Sequence, residues 1–181
     1  FAADHPLPVA PSQLAALIQA PDVLGWAERL WQNADLTARE DVVILESRLL
    51  QVSAMFPLLA DTDPEQIQAM LQRIYPTLLP LNPALIVFDH RDPMAAFART
   101  LQAPDRQEWL LWVAALAEQL PWLKSRGLSG VEGWLRFVAH WADVLRWLSA
   151  DCPLPRLCVM DAGEDRAAAA RQIDAFLAGS G

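Results

Sequence analysis

Residues 41–51 read DVVILESRLLQ, and this stretch decides the predicted fold. Its run VVIL is apolar and rich in β-branched residues, and Glu46 follows directly. A continuous apolar run, unlike an alternating one, suits a strand that helices cover on both faces. The stretch therefore predicts a buried strand that ends at a carboxylate and leads into a helix carrying Arg48 and Gln51.

Two further continuous apolar runs follow, ALIVFDH at residues 84–90 and LCVMDA at 157–162. Helical apolar spacing, with Pro and acidic residues at several helix starts, predicts helices before, between and after the three runs. Such alternation builds a parallel sheet through right-handed crossovers. The sequence predicts a three-layer α/β fold, a parallel sheet flanked by many helices, in one domain over residues 1–181. Three strands are nevertheless few for so many helices.

The composition bounds the class of protein. The chain has 181 residues, 54% of them hydrophobic, which is enough apolar material for a substantial core. Its net charge of −8 repels phosphate backbones, so a nucleic acid polymer is not an expected partner. No apolar run reaches the roughly 18 residues of a membrane span, and no signal peptide is recognisable. Cys152 and Cys158 match no metal or disulfide spacing, which predicts ordinary thiols in a reducing cytoplasm.

All three apolar runs end in an acid, at Glu46, Asp89 and Asp161. Ligands of open α/β sheets bind outside the carboxyl ends of the strands, so these acids indicate a site. Glu46 could bind a divalent metal through water or take a proton from an attacking hydroxyl. Arg48 could neutralise a phosphate or pair with Glu46, and Gln51 could read a polar substrate group or face solvent. The alternative is that strand ends are polar simply because they meet water.

A positive group follows the second run. Its members are Arg91, Arg99 and Arg106, with Lys124 and Arg126 in a Gly-bearing loop at 121–130 that is a candidate lid. Cations brought over a site by a closing loop stabilise a transferring phosphoryl group. The alternative is an ordinary exposed connection with solubilising charges.

Aromatic and imidazole side chains give weaker signals. Trp109 and Trp122 lie beside the basic residues and could stack on a base or sugar, although core packing is the alternative. The three histidines form no metal-ligand spacing. His90 follows Asp89 at a predicted strand end, which gives it suitable geometry without a motif.

The order of these pieces resembles the thymidylate-kinase-like branch of the P-loop nucleoside triphosphate hydrolases, and its bacterial members in particular. The resemblance is carried by DVVILES-R-LLQ, LPLNPALIVFDHRDP, R-QEW, SRGLSGVEGW and a last strand and helix. It runs from about His5 to the C-terminus. It implies a parallel sheet with a phosphate-binding loop, ATP and Mg²⁺ as cofactors, and a lid that carries arginines.

The resemblance also implies roles for single residues. Glu46 matches the acid after the third strand, as a base or a metal ligand through water, and Gln51 matches the substrate-reading Gln of the helix that follows. Arg126, with Arg99 or Arg106, matches lid positions, and Arg126 is the catalytic candidate among them. Asp161 and Asp165 would lie near the nucleotide base. With Arg48 and Trp109 added from the residues themselves, the substrate-binding candidates are Arg48, Gln51, Arg99, Arg106 and Trp109. Where nucleotide kinases typically carry Asp-Arg, this chain has Glu46-Ser47, which argues against thymidylate as the substrate.

The sequence GxxxxGK[ST] occurs nowhere in these residues, although a P-loop kinase needs it to hold phosphates. In such a sheet the absent strand would lie between VVILE and ALIVF, and buried backbone groups without partners are costly. We therefore expect a strand and a P-loop N-terminal to Phe1.

Three functions remain open from the sequence. The first is an ATP-dependent phosphotransferase, kinase-like and acting on a small molecule or nucleotide, or a related NTPase. The second is a non-catalytic scaffold or protein-interaction domain of the same fold, which would use its Trp-rich helices for association. The third is an all-helical interaction domain in which the apolar runs are buried helix segments. A small-molecule phosphate acceptor is the expected partner, no membrane is expected, and a homodimer is left open.

Overall fold

The computed structural model describes residues 9–32, 44, 48–103 and 106–179. Within them lie the helices α1 (Pro11–Ile18), α2 (Val23–Gln32), α3 (Phe56–Leu59), α4 (Pro64–Leu78), α5 (Pro93–Gln102), α6 (Gln107–Ala117), α7 (Pro121–Ser125), α8 (Gly130–Ala150) and α9 (Arg166–Gly179). The strands are β1 (Leu85–Asp89) and β2 (Arg156–Met160). A π-helical segment, Arg48–Met55, leads into α3, and a 3₁₀ turn, Leu79–Leu81, follows α4.

Helix starts follow the local chemistry of the sequence. The Asp63 carboxylate accepts a hydrogen bond from the backbone N–H of Glu65 at 2.8 Å, and Pro64 is the first residue of α4. The Asp92 carboxylate accepts from the N–H of Ala95 at 2.9 Å at the start of α5. Each carboxylate satisfies an N–H that has no partner inside the helix, and each is favoured by the helix dipole.

The main core is built by helices that pack on one another. The contacts join α8 to α5 and α6, α4 to α2, and α1 to α6. The apolar side chains along one face of α4, which form its apolar stripe, are buried. Helix α8 contributes Phe137, which is only 1% exposed. Phe137 contacts Trp122 edge to face and Trp134 at a tilt, with ring centroids 5.2 and 5.6 Å apart. The contact with Trp122 fixes α7 against α8, while Trp134 lies on α8 itself.

The two strands form a small parallel sheet beside this helical core. The register pairs Leu85 with Arg156 and Asp89 with Met160, so both strands end at the same edge. Val87 and Val159 are buried, while Phe88 is 57% exposed. Helix α9 contacts β2, and a partly buried ion pair between Asp89 and Arg146 ties the sheet to α8. The carboxyl end of β1 therefore lies beside α8.

The predicted three-layer α/β fold is wrong. The second and third predicted strands are present and parallel, but the sheet of the described residues has only these two strands. The helices bury their apolar faces against each other instead of against a broad sheet, so the fold is mostly helical. The same two strands exclude a wholly helical fold. Most of the first predicted strand, VVILE, lies outside the described residues; Ile44 is described, irregular in backbone and exposed.

The π-helical segment passes directly into α3, and the helix continues to Leu59 because Pro57 lies in the first turn of α3, where its missing N–H costs no hydrogen bond. Part of the candidate lid loop, 121–130, forms α7, and Leu123 is fully buried there. Among the described helices, none combines the length and the apolar character that crossing a membrane requires.

Candidate functional site

The carboxyl ends of the two strands meet at one place on the surface. The backbone N–H of Asp161, just after β2, donates to the carbonyl of Asp89 at 2.8 Å. The loops that leave the strands therefore start side by side, and they carry His90 and Arg91 on one side and Asp161 on the other. We call Asp89, His90, Arg91, Asp161 and Arg146 the strand-end cluster.

Asp89 anchors this cluster through a two-point contact with Arg146. Its side chain is 6% exposed, and its two oxygens accept from Nε of Arg146 at 2.7 Å and from Nη2 at 3.1 Å. The hydrogen bond to Asp89 and the charge of that carboxylate raise the pKa of Arg146. Nη1 of Arg146 also donates to Asp143 at 3.0 Å. A bidentate carboxylate–guanidinium contact of this kind has little freedom to shift.

Asp161 joins the two residues that follow β1. Its Oδ1 lies 3.3 Å from Nδ1 of His90, and its Oδ2 lies 3.2 Å from Nε of Arg91. The backbone N–H of Arg91 also donates to Oδ1 at 3.2 Å. Asp161 has a left-handed backbone conformation, with φ of +49°. Asp adopts this conformation more readily than most residues, and here it forms the turn that leaves β2.

A shallow depression opens on the β2 side of the cluster. We call it the acidic cleft; it has a volume of about 140 Å³. Its polar lining is Arg91, Asp161, Glu164, Asp165 and Gln172, over a floor of Val159, Met160, Ala168 and Ala169. Asp165 also accepts from the N–H of Ala168 at 2.8 Å, so it fixes the start of α9. Three carboxylates against one guanidinium make this cleft acidic.

A second depression opens on the β1 side. We call it the apolar groove; it has a volume of about 210 Å³. Its walls are Phe88, Pro93, Ala96, Phe97, Val138, Trp141, Ala142 and Leu145, and its polar lining is Asp89, His90 and Thr100. The Thr100 hydroxyl donates to the carbonyl of Ala96 at 3.2 Å. Asp89 is held by Arg146, so His90 is the polar side chain best placed to meet a ligand here.

Only some of the site residues predicted from the sequence line the two depressions. Asp161 and Asp165 line the acidic cleft. Glu46 lies outside the described residues, and so does the side chain of Arg48, the first residue of the π-helical segment. Gln51 is exposed on that segment, and Arg99 is exposed on α5.

The other predicted substrate and lid residues belong to the helical part. Trp109 packs on Phe97 with ring centroids 5.3 Å apart, as a partly buried residue against the core. Arg106, just before α6, is half-buried. Neither residue lines the acidic cleft or the apolar groove.

Arg126 belongs to a different group of side chains. Its Nη1 contacts Asp61 at 2.6 Å, and its guanidinium lies 4.3 Å from the ring centroid of Trp122. Burial alone would raise the pKa of Asp61, but hydrogen bonds from Ser125 and Arg126 lower it overall. His140 stacks on Trp122 at 5.1 Å, and burial followed by the charge of Arg126 lowers the pKa of this imidazole. In the structure Arg126 therefore joins α7 to the turn before α4.

Sequence reasoning missed Arg146. It lies 57 residues after Asp89 in a Trp-rich helix, and no local motif marks it. Its bonding to Asp89 depends on how α8 docks beside the sheet. In the sequence, His90 is marked only by its position after Asp89 at a predicted strand end. In the structure, that position brings its ring next to Asp161.

The described side chains do not form a binding site for Mg²⁺. They contain no group of three or more His, Cys, Asp or Glu residues that could hold a metal ion. The carboxylates of the strand-end cluster already bind arginine and histidine donors.

The comparisons with protein families, with curated proteins and with solved structures gave no match to this chain.

Proposed function

We propose that the chain is an ATP-dependent phosphotransferase acting on a small molecule, with the acidic cleft on the nucleotide side and the apolar groove on the acceptor side. One observation carries the proposal. Two depressions of opposite character meet at the same cluster, with Arg91 and Asp161 on one side and His90 on the other. A site that holds two reactants side by side in the right orientation turns a bimolecular reaction into an effectively unimolecular one.

The two free cysteines agree with a reducing cytoplasm as the location of the protein.

The acidic cleft suits the base and ribose of a nucleotide better than its phosphates. Carboxylates accept hydrogen bonds from amino and hydroxyl groups, and they repel phosphate oxygens. Its volume of about 140 Å³ is below the roughly 300 Å³ at which drug-sized pockets begin, so it would take only part of a nucleotide. The phosphates would then lie beside Arg91, the one guanidinium of the cleft lining, where they are exposed to water.

Arg91 is the side chain in this region best suited to a phosphate. It is 83% exposed, and it contacts Asp161 through Nε, which leaves the two terminal nitrogens for another acceptor. Guanidinium groups bind phosphate oxygens in pairs with strong, charge-assisted hydrogen bonds. ATP bound at this edge would therefore have its γ-phosphate near His90.

Calorimetric titration of the chain with ATP tests the proposal. We expect a dissociation constant in the micromolar to millimolar range, and we expect Arg91→Ala to weaken binding about tenfold, the loss of roughly one charge-assisted contact. Arg136→Ala is the matched control, because Arg136 is an exposed arginine on α8 that pairs with Glu132. No heat of binding with ATP, or equal effects of both variants, would contradict the proposed function.

A non-catalytic interaction domain is the second candidate function. It is favoured by the outer edge of β1, which pairs with no strand of the described residues and carries the exposed Phe88. An open, apolar edge strand can accept a strand from another chain. A chain that binds no ATP but self-associates in light-scattering measurements would favour this function.

A further inference from the structure

We infer that His90 and Asp161 form a general-base pair, and that the apolar groove takes an acceptor whose hydroxyl is attached to a small aromatic or otherwise flat apolar body. This inference rests on the proposed function for the phosphoryl donor, but not for the binding of the acceptor. It assigns a role to His90 and a ligand class to the groove.

Asp161 sets which nitrogen of His90 is available. An ionised carboxylate only accepts hydrogen bonds, so Nδ1 of His90, 3.3 Å from Oδ1, carries the proton. The neutral ring then has its lone pair on Nε2. Arg91 uses the other oxygen, Oδ2, for its side-chain contact, so the two side chains do not compete for one atom.

The backbone of His90 is held from both sides. Its N–H donates to Oδ1 of Asp89 at 2.7 Å, and its carbonyl accepts from Nη2 of Arg146 at 2.8 Å. Both partners belong to the ion pair that joins β1 to α8. The imidazole therefore starts from a fixed backbone position, and little ordering is needed when a ligand binds.

The groove itself defines the ligand class. Phe88, Phe97 and Trp141 provide aromatic surface, and the volume of about 210 Å³ suits a ring system of fragment size. Asp89 is neutralised by Arg146, so a charged ligand gains no partner on this wall. A ligand hydroxyl placed near His90 gains a hydrogen bond in this groove, because Nε2 can accept it.

The acceptor oxygen attacks the γ-phosphorus of ATP and forms a new P–O bond, while the bond from that phosphorus to the β–γ bridging oxygen breaks. The hydroxyl proton moves to Nε2 of His90, and ADP leaves with the bridging oxygen. Asp161 stabilises the imidazolium that forms, as an ionised carboxylate does for a histidine base.

Binding of benzyl alcohol and of toluene tests the pair without ATP. Both probes fill the groove with the same ring, and only the alcohol offers a hydroxyl. With the chain ¹⁵N-labelled at histidine, we expect benzyl alcohol to shift the Nε2 resonance of His90 and to bind about fivefold more tightly than toluene, the effect of one neutral hydrogen bond. The resonances of His140, which stacks on Trp122, should not move.

Two variants separate the roles of the pair. His90→Phe keeps a flat ring and should bring the ratio of the two affinities to about one. Asp161→Asn should leave toluene binding unchanged while it alters the Nε2 resonance in the free protein, because the amide no longer fixes the tautomer. His140→Gln is the control and should keep the fivefold ratio.

Equal affinities for the two probes in the unmodified chain would overturn the inference. So would a preference for benzyl alcohol that survives in His90→Phe. The experiment contains no nucleotide, so its outcome is independent of whether ATP binds. A failure of the proposed function would appear instead as the absence of ATP binding with the probe ratio intact.

Discussion

Replacing Phe137 with alanine should lower the free energy of unfolding by about 3–5 kcal/mol, the usual cost of truncating a buried aromatic residue. Phe137 is 1% exposed and makes ring contacts with Trp122 and Trp134, so the substitution opens a cavity between α7 and α8. Urea denaturation followed by circular dichroism measures the change. The slope of the transition should stay the same, because the surface exposed on unfolding is nearly unchanged.

Phe88→Ala is the matched control for this cavity. It deletes the same atoms at a position that is 57% exposed, so we expect a loss of about 1 kcal/mol or less. A loss at Phe137 no larger than that at Phe88 would mean that the aromatic contacts of α7 and α8 are not part of the stable core.

Replacing Arg146 with methionine should lower the free energy of unfolding by about 2–3 kcal/mol. Removal of one partner of a buried pair costs about 3–5 kcal/mol, because the other charge stays buried alone. Asp89 is 6% exposed, but Arg146 is 41% exposed, so water can partly solvate the carboxylate after the change. We therefore expect a value below the full range.

Two further variants check the origin of that loss. Arg136→Met removes an exposed arginine that pairs with Glu132 on the same helix, and should cost less than about 0.5 kcal/mol. Adding Asp89→Asn to Arg146→Met should recover part of the stability, since no charge is then left buried. Equal losses for Arg146→Met and Arg136→Met would contradict the anchoring role of Asp89.

The sequence predicts the local features of this fold well, because each depends on a few neighbouring residues. Asp63 and Asp92 start helices through hydrogen bonds to N–H groups two or three residues further on. The stripe of α4 is buried as its spacing of apolar residues predicts. The two later apolar runs form strands for the same local reason, although their pairing joins distant residues.

The arrangement of helices and strands into layers depends on contacts between residues far apart in sequence. The prediction of a three-layer α/β fold was wrong for this reason. A continuous apolar run predicts cover on both faces of the strand, yet Phe88 of β1 is largely exposed. The run does not say how many strands lie beside it. Helices α6 and α8 pack on each other, which the periodicity of each helix alone does not reveal.

The candidate site shows the same division. The rule that ligands bind at strand ends brings Asp89 and Asp161 together, and the structure joins them through the bond from Asp161 N–H to Asp89 carbonyl. Arg146 completes the cluster from a helix more than 50 residues away in sequence, so its part follows from tertiary packing alone. Arg126, chosen for its place in a Gly-bearing loop, instead binds Asp61.

The most direct test of the central claim is a backbone amide NMR titration with ATP and benzyl alcohol together. The claim is that the acidic cleft and the apolar groove are two halves of one site. We predict that ATP shifts resonances of Arg91, Glu164 and Ala168, that benzyl alcohol shifts those of Phe97 and Trp141, and that saturation with one ligand leaves the other bound. Mutual displacement, or shifts confined to residues away from both depressions, would contradict the claim.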